Sequence, residues 1–151
     1  MAKGSFQIAQ GKFRQAAHIF ERIIELNNSD NLGARYFLMA IYALLEDQKK
    51  AEKLYSHYPY EEFFVLYYKL DLQKEADKYF KLSIEANRHI LGYFKNDTKI
   101  LKAMFSRYDS YQRGSLEEIT VYMQDFDFLM WGVKLGIVEY IRNYQKRQSK
   151  K

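Results

Sequence analysis

The 151-residue chain contains no cysteine and only one proline. Without cysteine it can form neither a disulfide nor a thiolate-ligated metal centre. Because proline breaks helices, its near-absence, together with 48% apolar residues, favours a folded and mostly helical protein. No apolar run approaches the roughly 20 residues of a membrane span, and residues 1–6 lack the apolar stretch of a secretory signal. We therefore expect a soluble, cytoplasmic protein without a membrane partner.

The sequence also lacks the residue patterns of common catalytic and cofactor sites. His18, His57 and His89 lie on separate predicted helices, and none has the spacing of a metal-ligand motif. Asp125 and Asp127 resemble the start of a calcium loop, but leucine occupies the next ligand position. There is no glycine-rich phosphate loop and no nucleophile-elbow motif. We expect no metal, no cofactor and no enzymatic activity.

The net charge of +5 is concentrated at the carboxyl end. Residues 142–151 hold five of the 24 basic residues and no acidic one, so the rest of the chain is balanced at 19 basic and 19 acidic residues. These five are Arg142, Lys146, Arg147, Lys150 and Lys151. Basic residues are favourable at the carboxyl end of a helix, so the tail is interpreted first as a solvated helix end. Nucleic-acid binding through the tail is the less favoured alternative.

Apolar residues recur at three- and four-residue steps through most of the chain, which is the period of amphipathic helices. The sequence therefore predicts an all-α protein. The predicted helices span residues 12–26, 32–46, 48–57, about 60–70, 72–87, 88–94, 98–106, 116–131 and 136–147.

Capping residues mark several of the predicted boundaries. The turn formers of residues 27–31 predict an Asx-type cap for the helix that follows, and Asp47 predicts the next cap. Pro59 marks the start of another helix. Residues 115–118 read as a capping box, whereas Gly132 and Gly136 predict a break in the last helical region.

A small residue followed four positions later by an aromatic one occurs three times. The pairs are Ala16 with Phe20, Ala51 with Tyr55, and Ala76 with Phe80. The first two copies are 35 residues apart, close to the roughly 34-residue period of tetratricopeptide repeats (TPRs), which the chain resembles over residues 1–87. The second interval is only 25 residues, and Asn28 replaces the proline that usually ends a repeat.

The TPR resemblance implies a right-handed α-α superhelix of about three TPR-like helical hairpins with a nonrepeat C-terminal helical cap. Residues 1–151 would form a single domain. Within it, residues 1–87 hold the hairpins, residues 88–114 short helices and a loop, and residues 115–151 the C-terminal helices. We expect the C-terminal helices to fold back over part of the concave groove or to cap the array, leaving a smaller site.

A narrower resemblance covers residues 28–141. Its residues are Asn28-x-Asp30-Asn31-x-Gly33-x-Arg35-Tyr36, then Ala86-Asn87-x-His89, then Gly114-Ser115-x-Glu117-Glu118 with Tyr122 and Trp131. They resemble a group of bacterial and fungal TPR-like proteins of mostly undefined function. Asn31 and Gly33 are interpreted as cap and close-packing residues.

In TPR arrays the first helix of each hairpin lines the concave face, and this implies an apolar groove in the present chain. The candidate partner-binding residues are Arg35, Tyr36, Ala40, Ala43, Leu44, Val65, Tyr68 and Lys69. Arg35 lies in the first turn of its helix, where its charge is unfavourable, so it should pair either with Asp30 or another internal carboxylate, or with a partner's carboxylate.

The groove predicts a noncatalytic scaffold or adaptor that binds a peptide or helix of a protein partner. Two alternatives stay open. One is a nucleic-acid-binding accessory protein that uses the basic tail, and the other is a noncatalytic domain of a larger enzyme assembly.

Overall fold

The computed structural model describes residues 2–30, 33–58, 63–95, 98–103 and 112–150, and for residues 121–135 it describes the backbone alone. Every regular element in these ranges is an α-helix, which confirms the all-α prediction. The helices are α1 Ala2–Ala9, α2 Phe13–Leu26, α3 Ala34–Leu45, α4 Gln48–His57, α5 Phe63–Lys69, α6 Gln73–Ala86, α7 Ile90–Phe94, α8 Thr98–Ala103 and α9 Leu116–Gln148. None of the helices described is long and apolar enough to cross a membrane.

Helix boundaries follow the sequence pattern closely in the first two hairpins. The predicted helix 12–26 corresponds to α2, and the predicted helix 48–57 corresponds to α4. Pro59, Asn31 and residues 104–111, on which further boundary predictions rested, lie outside the described residues.

The predicted break at Gly132 and Gly136 is wrong. Helix α9 runs without interruption for 33 residues, so it is about 50 Å long. A glycine costs a helix only about 1 kcal/mol relative to alanine, and tertiary packing routinely outweighs such a propensity. Gly136 lies where α9 approaches Tyr68 of α5, so this glycine allows close packing instead of ending the helix.

Two aspartates provide the predicted helix caps. Asp30 accepts hydrogen bonds from the backbone N–H groups of Ala34 (2.7 Å) and Arg35 (3.0 Å) at the start of α3. Asp47 accepts one from the N–H of Lys50 (3.2 Å) at the start of α4. Asp30 is buried, whereas the bond from Lys50 to Asp47 is exposed, so the two caps differ in the number of bonds and in access to water.

This difference predicts unequal effects of removing the caps. Asp30→Ala should lower the free energy of unfolding by about 2–3 kcal/mol, because one buried and one partly buried N–H group lose their acceptor. Asp47→Ala, the matched control, should cost about 1 kcal/mol. Urea denaturation of both variants measures the difference. Equal losses in the free energy of unfolding would show that the cap of α3 contributes no more than the cap of α4.

Helix α3 is the central element of the fold. It packs against α2, α4, α5 and α9, and the eight residues Ala34 and Phe37–Ala43 are buried. The sequence of α3 is apolar around the whole helix, which is the composition of a helix surrounded by others. A TPR hairpin exposes one side of its first helix to the concave groove, whereas in this chain α9 packs against α3.

The recurring alanine and aromatic residues form the contacts between successive helices. Ala16, Ala51 and Ala76 are each fully buried. The Phe20 ring of α2 stacks on Phe37 of α3, with centroids 4.9 Å apart. Between the next two hairpins, Tyr55 of α4 stacks on Phe63 of α5, with centroids 4.3 Å apart. The repeat therefore encodes the packing of each hairpin on the helix that follows it.

Candidate protein-binding site

The eight predicted partner-binding residues differ in accessibility. Ala40, Ala43 and Val65 are buried within the chain itself. The other five, Arg35, Tyr36, Leu44, Tyr68 and Lys69, are half-buried. The three buried side chains cannot reach a partner while the surrounding helices remain packed. The set as a whole stays a prediction.

Arg35 forms one of the two interactions expected of it. Its Nε lies 3.6 Å from Oδ2 of Asp30, and its Nη2 donates to the Tyr36 hydroxyl at 3.3 Å. The guanidinium carbon lies 4.9 Å from the centre of the Tyr36 ring and 5.5 Å from that of Tyr58, within the range of cation–π attraction. Internal pairing with Asp30 thus compensates the charge at the start of α3.

Lys69 acts at the opposite end of α3. Its ammonium group donates to the carbonyl oxygens of Ala43 (3.0 Å) and Leu44 (2.7 Å) and lies 3.5 Å from a Glu46 carboxylate oxygen. A cation that binds the last carbonyls of a helix satisfies free acceptors and favours the helix dipole. Lys69 therefore joins α5 to the carboxyl end of α3.

The C-terminal part of α9 folds back onto the third hairpin, which α5 and α6 form. Its buried residues are Ile137, Tyr140, Ile141 and Tyr144, spaced as one stripe of an amphipathic helix. We call the surface that Phe64, Tyr68, Asp77 and Phe80 form the third-hairpin face. These residues contact Tyr140, and Phe80 also meets Tyr144 edge-on, with centroids 5.0 Å apart.

Asp77 provides the polar contact of the third-hairpin face. It accepts hydrogen bonds from the Tyr140 hydroxyl (2.8 Å) and from Nη2 of Arg147 (2.6 Å). Because this partly buried carboxylate accepts hydrogen bonds from both a hydroxyl and a guanidinium group of α9, it fixes the position and the rotation of the helix. Arg147, one of the five basic tail residues, is therefore engaged within the chain.

The contact with α9 repeats the contact between the second and third hairpins. Glu52 of α4 accepts a hydrogen bond from the Tyr67 hydroxyl of α5, and Tyr55 of α4 stacks on Phe63 of α5. Asp77 and Phe80 lie at the equivalent positions, 25 residues later. Asp77 accepts a hydrogen bond from Tyr140 of α9, and Phe80 meets Tyr144 of α9 edge-on. In α5 the tyrosine that donates to the carboxylate, Tyr67, follows Phe63 in the sequence. In α9 the order is reversed, because the donor Tyr140 precedes Tyr144. Helix α9 thus contacts α6 through the same two positions that α5 uses on α4, with the reverse order of contacts along the helix.

A small cavity remains beside the α9 contact. Its volume is about 220 Å3, and Tyr68, Ala76, Gly136, Glu139 and Asn143 are among its lining residues. Whether this cavity is the smaller site expected from the sequence stays a prediction.

Hydrogen bonds from buried tyrosines to carboxylates join α2 to α3, α4 to α5 and α6 to α9. Tyr42 donates to Glu21, Tyr67 to Glu52 and Tyr140 to Asp77. Burial, and next the adjacent carboxylate, raise the pKa of each of these tyrosines. For Glu21, partial burial alone would raise the pKa, but the hydrogen bonds from Lys50 and Tyr42 outweigh it and lower the pKa.

The raised tyrosine pKa values predict a loss of stability in alkali. Above about pH 10 the unfolded chain releases the tyrosine protons, whereas folded Tyr42, Tyr67 and Tyr140 retain theirs. Their contribution is therefore complete below that pH, and the free energy of unfolding should fall as the pH rises further. Urea denaturation at several pH values measures how steeply the free energy of unfolding falls with pH, and the triple tyrosine-to-phenylalanine variant should show a shallower fall. An equally steep fall in both proteins would show that these three tyrosines are not its cause.

Gly136 permits the close approach between α9 and α5. A Cβ atom at this position would lie 2.2 Å from the Tyr68 hydroxyl oxygen and 3.2 Å from Cζ. Gly136→Ala should therefore destabilise the protein by about 1–3 kcal/mol, the usual cost of overpacking, despite the better helix propensity of alanine.

Removing the Tyr68 hydroxyl provides the matched test. In a Tyr68→Phe background the contact with the hydroxyl disappears and only the 3.2 Å contact with Cζ remains, so adding Gly136→Ala should cost at least about 1 kcal/mol less than it does in the presence of the hydroxyl. Thermal unfolding of the original protein, the two single variants and the double variant measures this difference. If Gly136→Ala is equally harmful in both backgrounds, the Tyr68 contact is not its cause.

Two motifs that are distant in sequence meet at the start of α9. Asn87 Nδ2 donates to the Ser115 carbonyl and to Oε2 of Glu118, each at 2.9 Å, while Asn87 Oδ1 accepts from the His89 N–H at 3.0 Å. Glu118 also accepts from the Gly114 N–H at 2.7 Å, and the Glu118 N–H donates to Ser115 Oγ at 3.1 Å. The predicted serine cap is confirmed, whereas the role of Asn87 was missed.

The described residues show no arrangement suited to metal chemistry, since they contain no group of three or more histidine, aspartate or glutamate side chains that could hold an ion. No family model matches the sequence, and neither a curated protein nor a solved structure matches it. The resemblance to TPR proteins therefore rests on the residues quoted for it.

Proposed function

We propose that the chain is a noncatalytic helical-repeat scaffold, built as a right-handed TPR-like array, that binds a helical segment of a protein partner. The observation that carries this proposal is the contact between α9 and the third-hairpin face. That face holds an amphipathic helix through tyrosines spaced along one stripe and a central carboxylate. Helix-in-groove recognition uses anchors of this spacing.

The occupant of the third-hairpin face in this structure is part of the same chain. A partner helix of similar pattern would compete with the C-terminal part of α9 for Phe64, Tyr68, Asp77 and Phe80. Intramolecular docking gives α9 a high effective concentration, so a partner needs additional contacts or a favourable interaction with the released α9. Tyr68 belongs to this face, and Tyr36, also half-buried, is the second predicted groove tyrosine that a partner would contact.

A peptide that spans residues 134–150 tests the proposal. Proteins captured by the intact chain should be released by this peptide, but not by a matched peptide in which Tyr140 and Tyr144 are alanine. The Tyr36→Ala/Tyr68→Ala variant should lose the same proteins while circular dichroism shows unchanged helicity. If every captured protein resists the peptide and binds the variant equally, the proposed site is wrong.

Nucleic-acid binding has less support. Arg147 is held by Asp77, which leaves fewer free cations near the end of α9. Binding through phosphates would weaken steeply with added salt, whereas apolar docking of a helix would change little.

A further inference from the structure

A second groove lies on helices that are not part of the third-hairpin face. It runs between α2, α3 and α4 and has a volume of about 720 Å3. Its apolar lining includes Ile24, Leu38 and Leu54, one from each helix. Near one end, the Tyr58 hydroxyl donates to the Asn28 carbonyl at 2.6 Å and ties the carboxyl end of α4 to the loop after α2. We call this feature the α2–α4 groove.

The acidic side of the α2–α4 groove is already neutralised within the chain. Glu21 accepts hydrogen bonds from Lys50 Nζ (2.8 Å) and from the Tyr42 hydroxyl (2.7 Å). Glu25 pairs with Arg22 at 2.8 Å. Neither carboxylate is left to attract a cationic partner strongly.

The basic side of the groove has no such compensation. Lys53 and His57 both line it from α4, and they are exposed. Four residues apart, they project from the same side of the helix. Neither forms an ion pair with a carboxylate among the described residues; the contacts of the His57 ring are with Ser56 and with the Lys53 carbonyl. The rim therefore offers a partner one ammonium group and one imidazole.

We propose that the α2–α4 groove binds an acidic amphipathic helix of a partner protein. Apolar side chains of the partner would fill the space above Ile24, Leu38 and Leu54, and its carboxylates would meet Lys53 and His57. Helix α4 has 10 residues and is about 15 Å long, which matches a partner helix of two to three turns. Ile24, Leu38 and Leu54 offer apolar surface that a partner helix can cover and a phosphate backbone cannot, so the groove favours a protein segment over nucleic acid.

Two designed peptides test the charge preference on the intact chain. Both have about 11 residues, three helical turns, and place leucine at i, i+4 and i+7; one carries glutamate on a flank of that stripe and the other carries lysine. Fluorescence anisotropy should show that the glutamate peptide binds at least about tenfold more tightly than the lysine peptide. Equal affinities, or binding of neither peptide, would overturn the inference.

A matched pair of charge reversals locates the site. Lys53→Glu should abolish or invert the preference, whereas Lys49→Glu, on the same helix but outside the groove lining, should leave it unchanged. In NMR spectra, the backbone amide chemical shifts of Ile24, Leu38 and Leu54 should change when the peptide binds. Shifts confined to Phe64, Tyr68 and Phe80 would refute the α2–α4 groove while supporting the third-hairpin face, so the two proposals fail separately.

Discussion

Replacing Asn87 with alanine should lower the free energy of unfolding by about 3–4 kcal/mol, because the change dismantles a buried polar network. The Asn87 side chain is 1% exposed and makes three hydrogen bonds, to the Ser115 carbonyl, the Glu118 carboxylate and the His89 N–H. Without it, Glu118, which is 6% exposed, retains the Gly114 N–H as its remaining donor in the described structure. A buried carboxylate that loses a donor is destabilising beyond the value of the lost bond.

The Asn87 prediction has a control on the same protein. Asn143 is exposed on α9 and makes no side-chain hydrogen bond in the part of the chain that is described, so Asn143→Ala should change stability by less than about 1 kcal/mol. Urea denaturation of both variants measures the contrast. A loss at Asn87 no larger than that at Asn143 would mean that the network does not hold α9 to α6 and α7.

Deleting residues 115–151 should expose apolar surface and cause aggregation. The deletion removes the stripe of Ile137, Tyr140, Ile141 and Tyr144, and it uncovers the third-hairpin face and one side of α3. Exposed apolar patches of this kind promote self-association. Increased binding of a hydrophobic dye and loss of monomer on size-exclusion chromatography measure the effect.

A chain that ends at Gln148 is the matched control for the deletion. It retains all of α9 and lacks only residues beyond the helix, so it should stay monomeric to the same extent as the intact chain. A soluble and equally stable protein without residues 115–151 would show that α9 does not cover the array.

The sequence predicts those features that depend on neighbouring residues. Apolar periodicity located α2 and α4, and short polar side chains identified Asp47, Ser115 and the run of residues 27–31, which contains Asp30, as caps, because capping acts over three to five residues. The composition of α3, apolar on every side, is typical of a central helix, whereas the TPR resemblance implied that these residues line a groove.

Contacts between distant segments could not be read from one sequence. Asn87 and Glu118 are 31 positions apart, and their hydrogen bond depends on how α6 and α9 meet. The 25-residue repeat relates Asp77 to Glu52, but the partner Tyr140 lies outside the repeat. Gly136 misled for a related reason: its low helix propensity is visible in the sequence, whereas its approach to Tyr68 is not.

A double-mutant cycle between Asp77 and Tyr140 tests most directly whether α9 occupies the third-hairpin face. Asp77→Asn, Tyr140→Phe and the double variant alter the 2.8 Å hydrogen bond while nearly preserving side-chain volume. We predict a coupling energy of about 1–2 kcal/mol, since the bond is charge-assisted and partly buried. Effects that add to within about 0.3 kcal/mol would contradict the docking of α9 and, with it, the proposed helix-binding face.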